Sequence, residues 1–77
     1  MMQVFDKVKL ILVQQFHKDE AEIKSETSFM DDLGIESLDF VELMIALEEE
    51  FDIVISDEDV EKIRTVDEAV QYIQKLI

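Results

Sequence analysis

Proline is absent from this chain and glycine occurs once, at Gly34. With so few breakers, apolar residues recurring at three- and four-residue steps read as helix through most of the 77 positions. The first such stretch, about Gln3 to Phe16, puts Val4, Phe5, Val8, Ile11, Leu12 and Phe16 on one face. A second helix is predicted from about Ser37 to Phe51, with Phe40, Leu43, Leu47 and Phe51 on its buried side. Ser56 with Asp59, and Thr65 with Glu68, match the capping box, in which a hydroxyl and a carboxylate satisfy free amides where a helix begins. They place helices at about 57–63 and 66–76, the last burying Val66, Ala69, Val70, Ile73 and Leu76 or Ile77. Between His17 and Glu36 the pattern loosens: Ser25, Thr27, Ser28, Asp31, Asp32 and Gly34 supply turn chemistry while Ile23, Phe29, Leu33 and Ile35 stay apolar. That composition predicts a long loop held in order by its apolar residues. The expected fold is an all-α, small four-helix bundle with a long ordered loop between helices 1 and 2 and a short third helix, one domain over residues 1–77.

A domain this short buries only roughly 60% of the surface its unfolded chain exposes, so its core is thin. No cysteine is present to reinforce it by disulfide or zinc, and His17, the one histidine, completes no metal site. Asp57, Asp59 and Glu61 alternate like carboxylates of a calcium loop but lack its glycine and terminal glutamate spacing, so no dedicated metal site is expected. The only continuous apolar run near the start, Leu10 to Val13, is too short for an export signal, and nothing approaches the ~18 apolar residues of a membrane span. The expectation is a soluble cytoplasmic monomer without stable membrane insertion.

Charge narrows the partners. Twenty acidic residues against seven basic ones give a net charge of −13, which repels nucleic acid and anionic membranes and calls for basic partners. The excess is local: Ser25 to Glu61 holds 14 Asp or Glu and no Lys or Arg. Self-repulsion in that stretch predicts a fold that salt and divalent cations stabilise. On the second helix, Leu38, Val41 and Ile45 form a stripe offset from the core line, bordered by Asp39, Glu42, Glu48 and Glu49. This is either a wider core face or a docking surface that combines a small apolar patch with charge steering. Glu48, Glu49, Glu50 and Asp52 crowd the negative end of that helix, an arrangement unfavourable to the isolated protein and better explained by binding.

Gly34 permits positive φ or close backbone approach just ahead of the helix start at Ser37, where an attached anion would meet free amides. Taken alone, Ser37 is as readily an N-capping serine. A nucleophilic role is disfavoured, since no G-x-S-x-G elbow surrounds it and His17 is the only imidazole, so no enzymatic constellation is expected.

The run Asp31-Asp32-Leu33-Gly34-Ile35-Glu36-Ser37-Leu38-Asp39-Phe40-Val41-Glu42-Leu43 closely resembles the phosphopantetheine attachment site of the acyl carrier protein family. Ala46-Leu47-Glu48-Glu49-Glu50-Phe51-Asp52, Ile55-Ser56-Asp57-Glu58-Asp59 and the final helix with Ala69 and Tyr72 extend the likeness over nearly the whole chain. The resemblance implies that a phosphopantetheinyl transferase attaches 4'-phosphopantetheine from coenzyme A to Ser37. The arm's thiol then carries acyl groups as thioesters to fatty acid synthesis enzymes with basic docking patches. Specialised carriers for polyketide, aminoacyl or other groups share the serine motif, and a non-carrier interaction module would share the fold. By the same resemblance, docking involves Glu36, Leu38, Asp39, Val41, Glu42, Ile45, Glu48, Glu49 and Glu61. The acyl pocket involves Leu47, Phe51, Ile55, Ile63, Ala69 and Tyr72, which as bare residues are ordinary core. Glu36 stands where the family more often has aspartate, a longer reach at equal charge that bears on the rate of modification.

Overall fold

The computed structural model describes residues 3–77; the two preceding residues, part of the domain expected from the sequence, lie outside the described residues. Four helices are present among the described residues: α1 (Val4–Phe16), α2 (Ser37–Phe51), α3 (Asp57–Lys62) and α4 (Val66–Leu76). The all-α bundle follows from the amphipathic spacing. Val8, Ile11 and Leu12 of α1 are buried against Phe40, Leu43, Met44 and Leu47 of α2 and Val66, Ala69, Val70 and Ile73 of α4. The principal helix contacts are α1 with α4 and α1 with α2, so α3 depends on other ties.

Those ties combine hydrogen bonds with the apolar contacts of Ile55, Val60 and Ile63. Tyr72 of α4 donates its hydroxyl to Asp59 Oδ2 at 2.7 Å, and the Ile55 amide donates to Glu48 Oε2 at 2.8 Å, fastening the segment between α2 and α3. The Tyr72 bond holds the Asp59 carboxyl below its ordinary range, with Ser56 assisting, and the same bond raises Tyr72 above the usual phenol value. This explains one departure from expectation. Ser56 does cap α3 by accepting from the Asp59 amide, but Asp59 does not complete the box: its short side chain is turned to Tyr72. At α4 the box is complete, with Thr65 and Glu68 exchanging both bonds.

The loop from His17 to Glu36 is pinned to the core by buried Ile23, Phe29, Leu33 and Ile35 and contains a short 3₁₀ turn, Glu20–Glu22. Phe29 is fully buried with its ring centroid 5.6 Å from that of Phe40. Thr27, also buried, donates its hydroxyl to the Glu22 carbonyl and accepts from the Lys24 amide. An isolated antiparallel bridge between Ser28 and Thr65, which helix periodicity does not foretell, joins the loop to the start of α4. Its bonds run from the Phe29 amide to the Arg64 carbonyl and from the Val66 amide to the Thr27 carbonyl, both 3.0 Å.

The other differences are small. Gln3 caps α1 instead of opening it, and α3 stops at Lys62 because Ile63 turns extended to bury its side chain. The apolar stripe of α4 ends at Ile73; Leu76 and Ile77 are exposed, since no further element covers them among the described residues. Phe51 is only half-buried, and Met44 completes the buried face of α2 in its place.

Candidate functional site

The end of the loop is built to stop abruptly and restart as helix. Ser28 and Asp32 clasp a turn: the Ser28 amide donates to Asp32 Oδ2 at 2.7 Å and the Asp31 amide to Ser28 Oγ at 3.1 Å. Gly34 then adopts φ 65°, the left-handed conformation that glycine enters without a Cβ penalty, and its amide bonds the Met30 carbonyl. Ile35 drops into the core, and the chain resumes as α2 with Glu36 as N-cap and Ser37 as the first helical residue.

Ser37 is therefore not a capping serine. The N-cap position belongs to Glu36, whose side chain makes no capping bond, and the Ser37 hydroxyl takes part in no hydrogen bond among the described residues. Ser37 is exposed, and it stands in the first turn, where helix amides lack intrahelical partners. The geometry leaves its oxygen accessible, and the helix end favours an anion attached there.

Ser37 opens onto a cleft of about 650 Å³ between the loop, α2 and the α3–α4 segment. Phe29, Phe40 and Ile63 are its buried lining, Met30, Val41 and Val60 are partly exposed, and Asp31, Glu61 and Arg64 bring charge to it. The volume falls in the range of about 300–1,000 Å³ typical of small-molecule sites. An accessible hydroxyl on the edge of a cleft with a mixed apolar and polar lining fits a serine-linked phosphopantetheine group: an anion at the attachment point, then a slender chain that alternates methyl and methylene groups with a hydroxyl and two amides.

The residues expected to dock partners fall together on one side. Leu38, Val41 and Ile45 are 80, 50 and 47% exposed, which decides against the wider core face. Glu36, Asp39, Glu42, Glu49 and Glu61 are exposed around them. Glu42, Ile45 and Glu49 also line a depression of about 440 Å³ whose far wall is Ile11 and Gln15 of α1. Glu48 is different, half-buried with its carboxylate engaged by the Ile55 amide, so it fastens the loop whether or not a partner reads it. Glu50 pairs with Lys7 at 3.7 Å, which relieves part of the crowding at the helix end.

Of the six residues expected to house an acyl chain, Ile63 lines the cleft beside Ser37. Leu47, Ile55 and Ala69 are close-packed core, and Phe51 and Tyr72 are packed at its edge. Arg64, Met30 and Val60 join the cleft without having been singled out from the sequence. Arg64 and Met30 are brought together by the Ser28–Thr65 bridge, a pairing of residues far apart in the chain that no local pattern signals, while Val60 comes from α3.

Among the described residues, no helix is long and apolar enough to cross a membrane and no cluster of three or more His, Cys, Asp or Glu is placed to hold a metal ion. The family model described as the phosphopantetheine attachment site matches residues 6–73, almost the entire chain and every element that forms the cleft. Domains of this family are sites of covalent 4'-phosphopantetheine attachment; they act as non-catalytic carriers that interact with phosphopantetheinyl transferases and with acyl-handling enzymes. The free serine, its cleft and that match together establish that the chain belongs to the phosphopantetheine-binding carrier family.

Proposed function

We propose that Ser37 carries the arm and that the protein is a fatty acid synthesis type of acyl carrier, working in the cytoplasm as a monomer. The observation that carries the assignment is the exposed, unbonded Ser37 hydroxyl at the start of α2, opening on the partly apolar cleft. The transferase would form a bond between the Ser37 oxygen and the pantetheine-side phosphorus of coenzyme A while the diphosphate P–O bond breaks, releasing adenosine 3',5'-bisphosphate as the leaving group, and the hydroxyl proton would pass to a base of the transferase. When bound, the group supplies a thiol that holds acyl chains as thioesters, chemistry this cysteine-free chain lacks.

The chain's own residues recruit and orient. Leu38, Val41 and Ile45 give a partner an apolar landing, while Glu36, Asp39, Glu42, Glu49 and Glu61 steer basic patches toward it. Docking converts the meeting of thioester and catalyst into an effectively intramolecular event. Leu47, Phe51, Ile55, Ile63, Ala69 and Tyr72 shelter the acyl chain between visits. For that the bundle must open beside α3, whose helix contacts fall short of those of α1 with α4 and α2, and whose hydrogen bonds run to Tyr72 of α4 and, through Ile55, to Glu48 of α2.

Intact mass after incubation with coenzyme A and a broad-specificity transferase tests the attachment. The mass rises by one phosphopantetheine group in the wild type and stays unchanged in Ser37→Ala. A gain equal in both proteins removes Ser37 as the anchor. The acyl groups found on the protein from its own cells then decide the pathway: straight-chain saturated and 3-oxo or 3-hydroxy species support fatty acid synthesis, whereas aminoacyl or polyketide species point to a specialised carrier.

A further inference from the structure

Among the described residues, Arg64 is the only basic side chain lining the cleft that Ser37 opens onto. Its main chain is fully engaged: the amide donates to Glu68 Oε1 at 3.0 Å and the carbonyl accepts from the Phe29 amide at 3.0 Å. Its guanidinium takes part in no ion pair or hydrogen bond among the described residues, although Asp31 and Glu61 line the same cleft. The backbone is thus held from two sides, by the loop bridge and by the Thr65–Glu68 box, while the charged end stays free.

A phosphodiester on Ser37 would add negative charge to a cleft that already bears Asp31 and Glu61, on a chain of net charge −13. A cation there offsets the repulsion, and a guanidinium does so with paired donors that match phosphate oxygens. We propose that Arg64 is a positioning residue for the phosphopantetheine group: it takes the phosphodiester on Ser37 as counter-ion and seats the start of the arm over Met30, Phe40, Val41 and Val60. This rests on the assignment of Ser37 as the anchor.

The test uses the full chain as wild type, Arg64→Gln and Arg64→Lys, each loaded by a transferase and checked by intact mass before any spectrum is taken. Both variants stay folded, because the Arg64 side chain makes no ion pair or hydrogen bond among the described residues; Arg64→Lys keeps the charge and the melting temperature, and Arg64→Gln lowers it only by the added self-repulsion of one lost positive charge. Methyl resonances of Met30, Val41, Val60 and Ile63 and the phosphorus resonance are then compared between unloaded and loaded protein. In the wild type, loading shifts these methyls well beyond the change at the remote Val8. In Arg64→Gln the shifts fall to the Val8 background and the phosphorus resonance moves, while Arg64→Lys retains part of the effect. Salt at ~1 M, where the Debye length is ~3 Å, brings the wild type toward the glutamine variant. Identical methyl and phosphorus spectra in loaded wild type and Arg64→Gln overturn the proposal. So do shifts that appear only when the thiol bears a carboxylate-ended acyl group, which would assign Arg64 to the cargo. Absence of the mass gain is a distinct failure, that of Ser37 itself.

Discussion

Leu38 and Leu47 lie on one helix and have opposite environments, so truncating each to alanine separates docking from folding. Leu47 is fully buried, and Leu47→Ala should destabilise the protein by about 2–5 kcal/mol through lost transfer energy and the residual cavity. In a domain of 60–100 residues each 1 kcal/mol lowers the melting temperature by about 4–8 °C, a shift easily read by circular dichroism. Leu38 is 80% exposed, so Leu38→Ala leaves folding stability within about 0.5 kcal/mol of wild type. If a partner covers it, the loss appears there instead: burying a leucine side chain is worth about 1.5–3 kcal/mol, or roughly 10- to 150-fold in affinity. Because alanine keeps the β-carbon, the lower end of that range is expected. The assay is kcat/KM of a transferase or acyl-handling enzyme at carrier concentrations below KM, alongside the melting curve. Unchanged kcat/KM for Leu38→Ala with every partner tried would refute the docking face. A large loss of melting temperature in the same variant would instead make Leu38 a packing residue.

Three further outcomes are expected. Gly34→Ala should cost about 1–2 kcal/mol, all of it backbone, since φ is 65° and an added Cβ meets nothing within 4 Å; Gly34→Asn should cost less despite its size, and the reverse order in thermal melts would indicate steric conflict. Tyr72→Phe removes the bond that lowers the Asp59 pKa and raises that of Tyr72, so the wild type's stability advantage is full between the ordinary values 3.8 and 10.0; it shrinks below the first, as Asp59 protonates, and above the second, as Tyr72 ionises. Denaturant unfolding across pH that shows a constant gap at both extremes would contradict this. Melting temperature should rise with salt and with millimolar magnesium, because only two ion pairs, Lys7–Glu50 and Lys9–Glu20, answer the acidic excess among the described residues, and a curve indifferent to both would count against the self-repulsion.

Helix content was legible because it is local. Spacing set the buried faces of α1 and α2, and capping chemistry located the starts of α3 and α4. The stripe Leu38, Val41, Ile45 could be drawn from the sequence, but whether it was covered depended on what α1 and α4 reach, which periodicity does not say. Asp59 shows the limit most clearly. Its sequence context matches a capping box, yet a tyrosine thirteen residues away claims the carboxylate. Arg64 was invisible as a site residue for the same reason, since the Ser28–Thr65 bridge that carries it to the cleft is a tertiary pairing.

The division between packing and polar ties bears on how a carrier could release what it shelters. An interior held throughout by close-packed apolar contacts opens only by breaking many of them together, at a free energy near that of global unfolding. Here α1, α2 and α4 supply the principal apolar core, whereas α3 is a six-residue helix fastened by the Tyr72–Asp59 and Glu48–Ile55 bonds and by the side chains of Val60 and Ile63. Water can replace each of those bonds at modest net loss, so of the four helices α3 is the one expected to open locally at least cost. Hydrogen exchange should therefore find the α3 amides of Val60 and Glu61 exchanging through a lower-energy opening than Leu12 or Leu47. Tyr72→Phe should widen that difference without altering exchange at Leu12 relative to global stability. If α3 instead exchanged only with the core, the polar ties would have no part in admitting a chain, and shelter for the acyl group would have to come from the open cleft beside Ser37 alone.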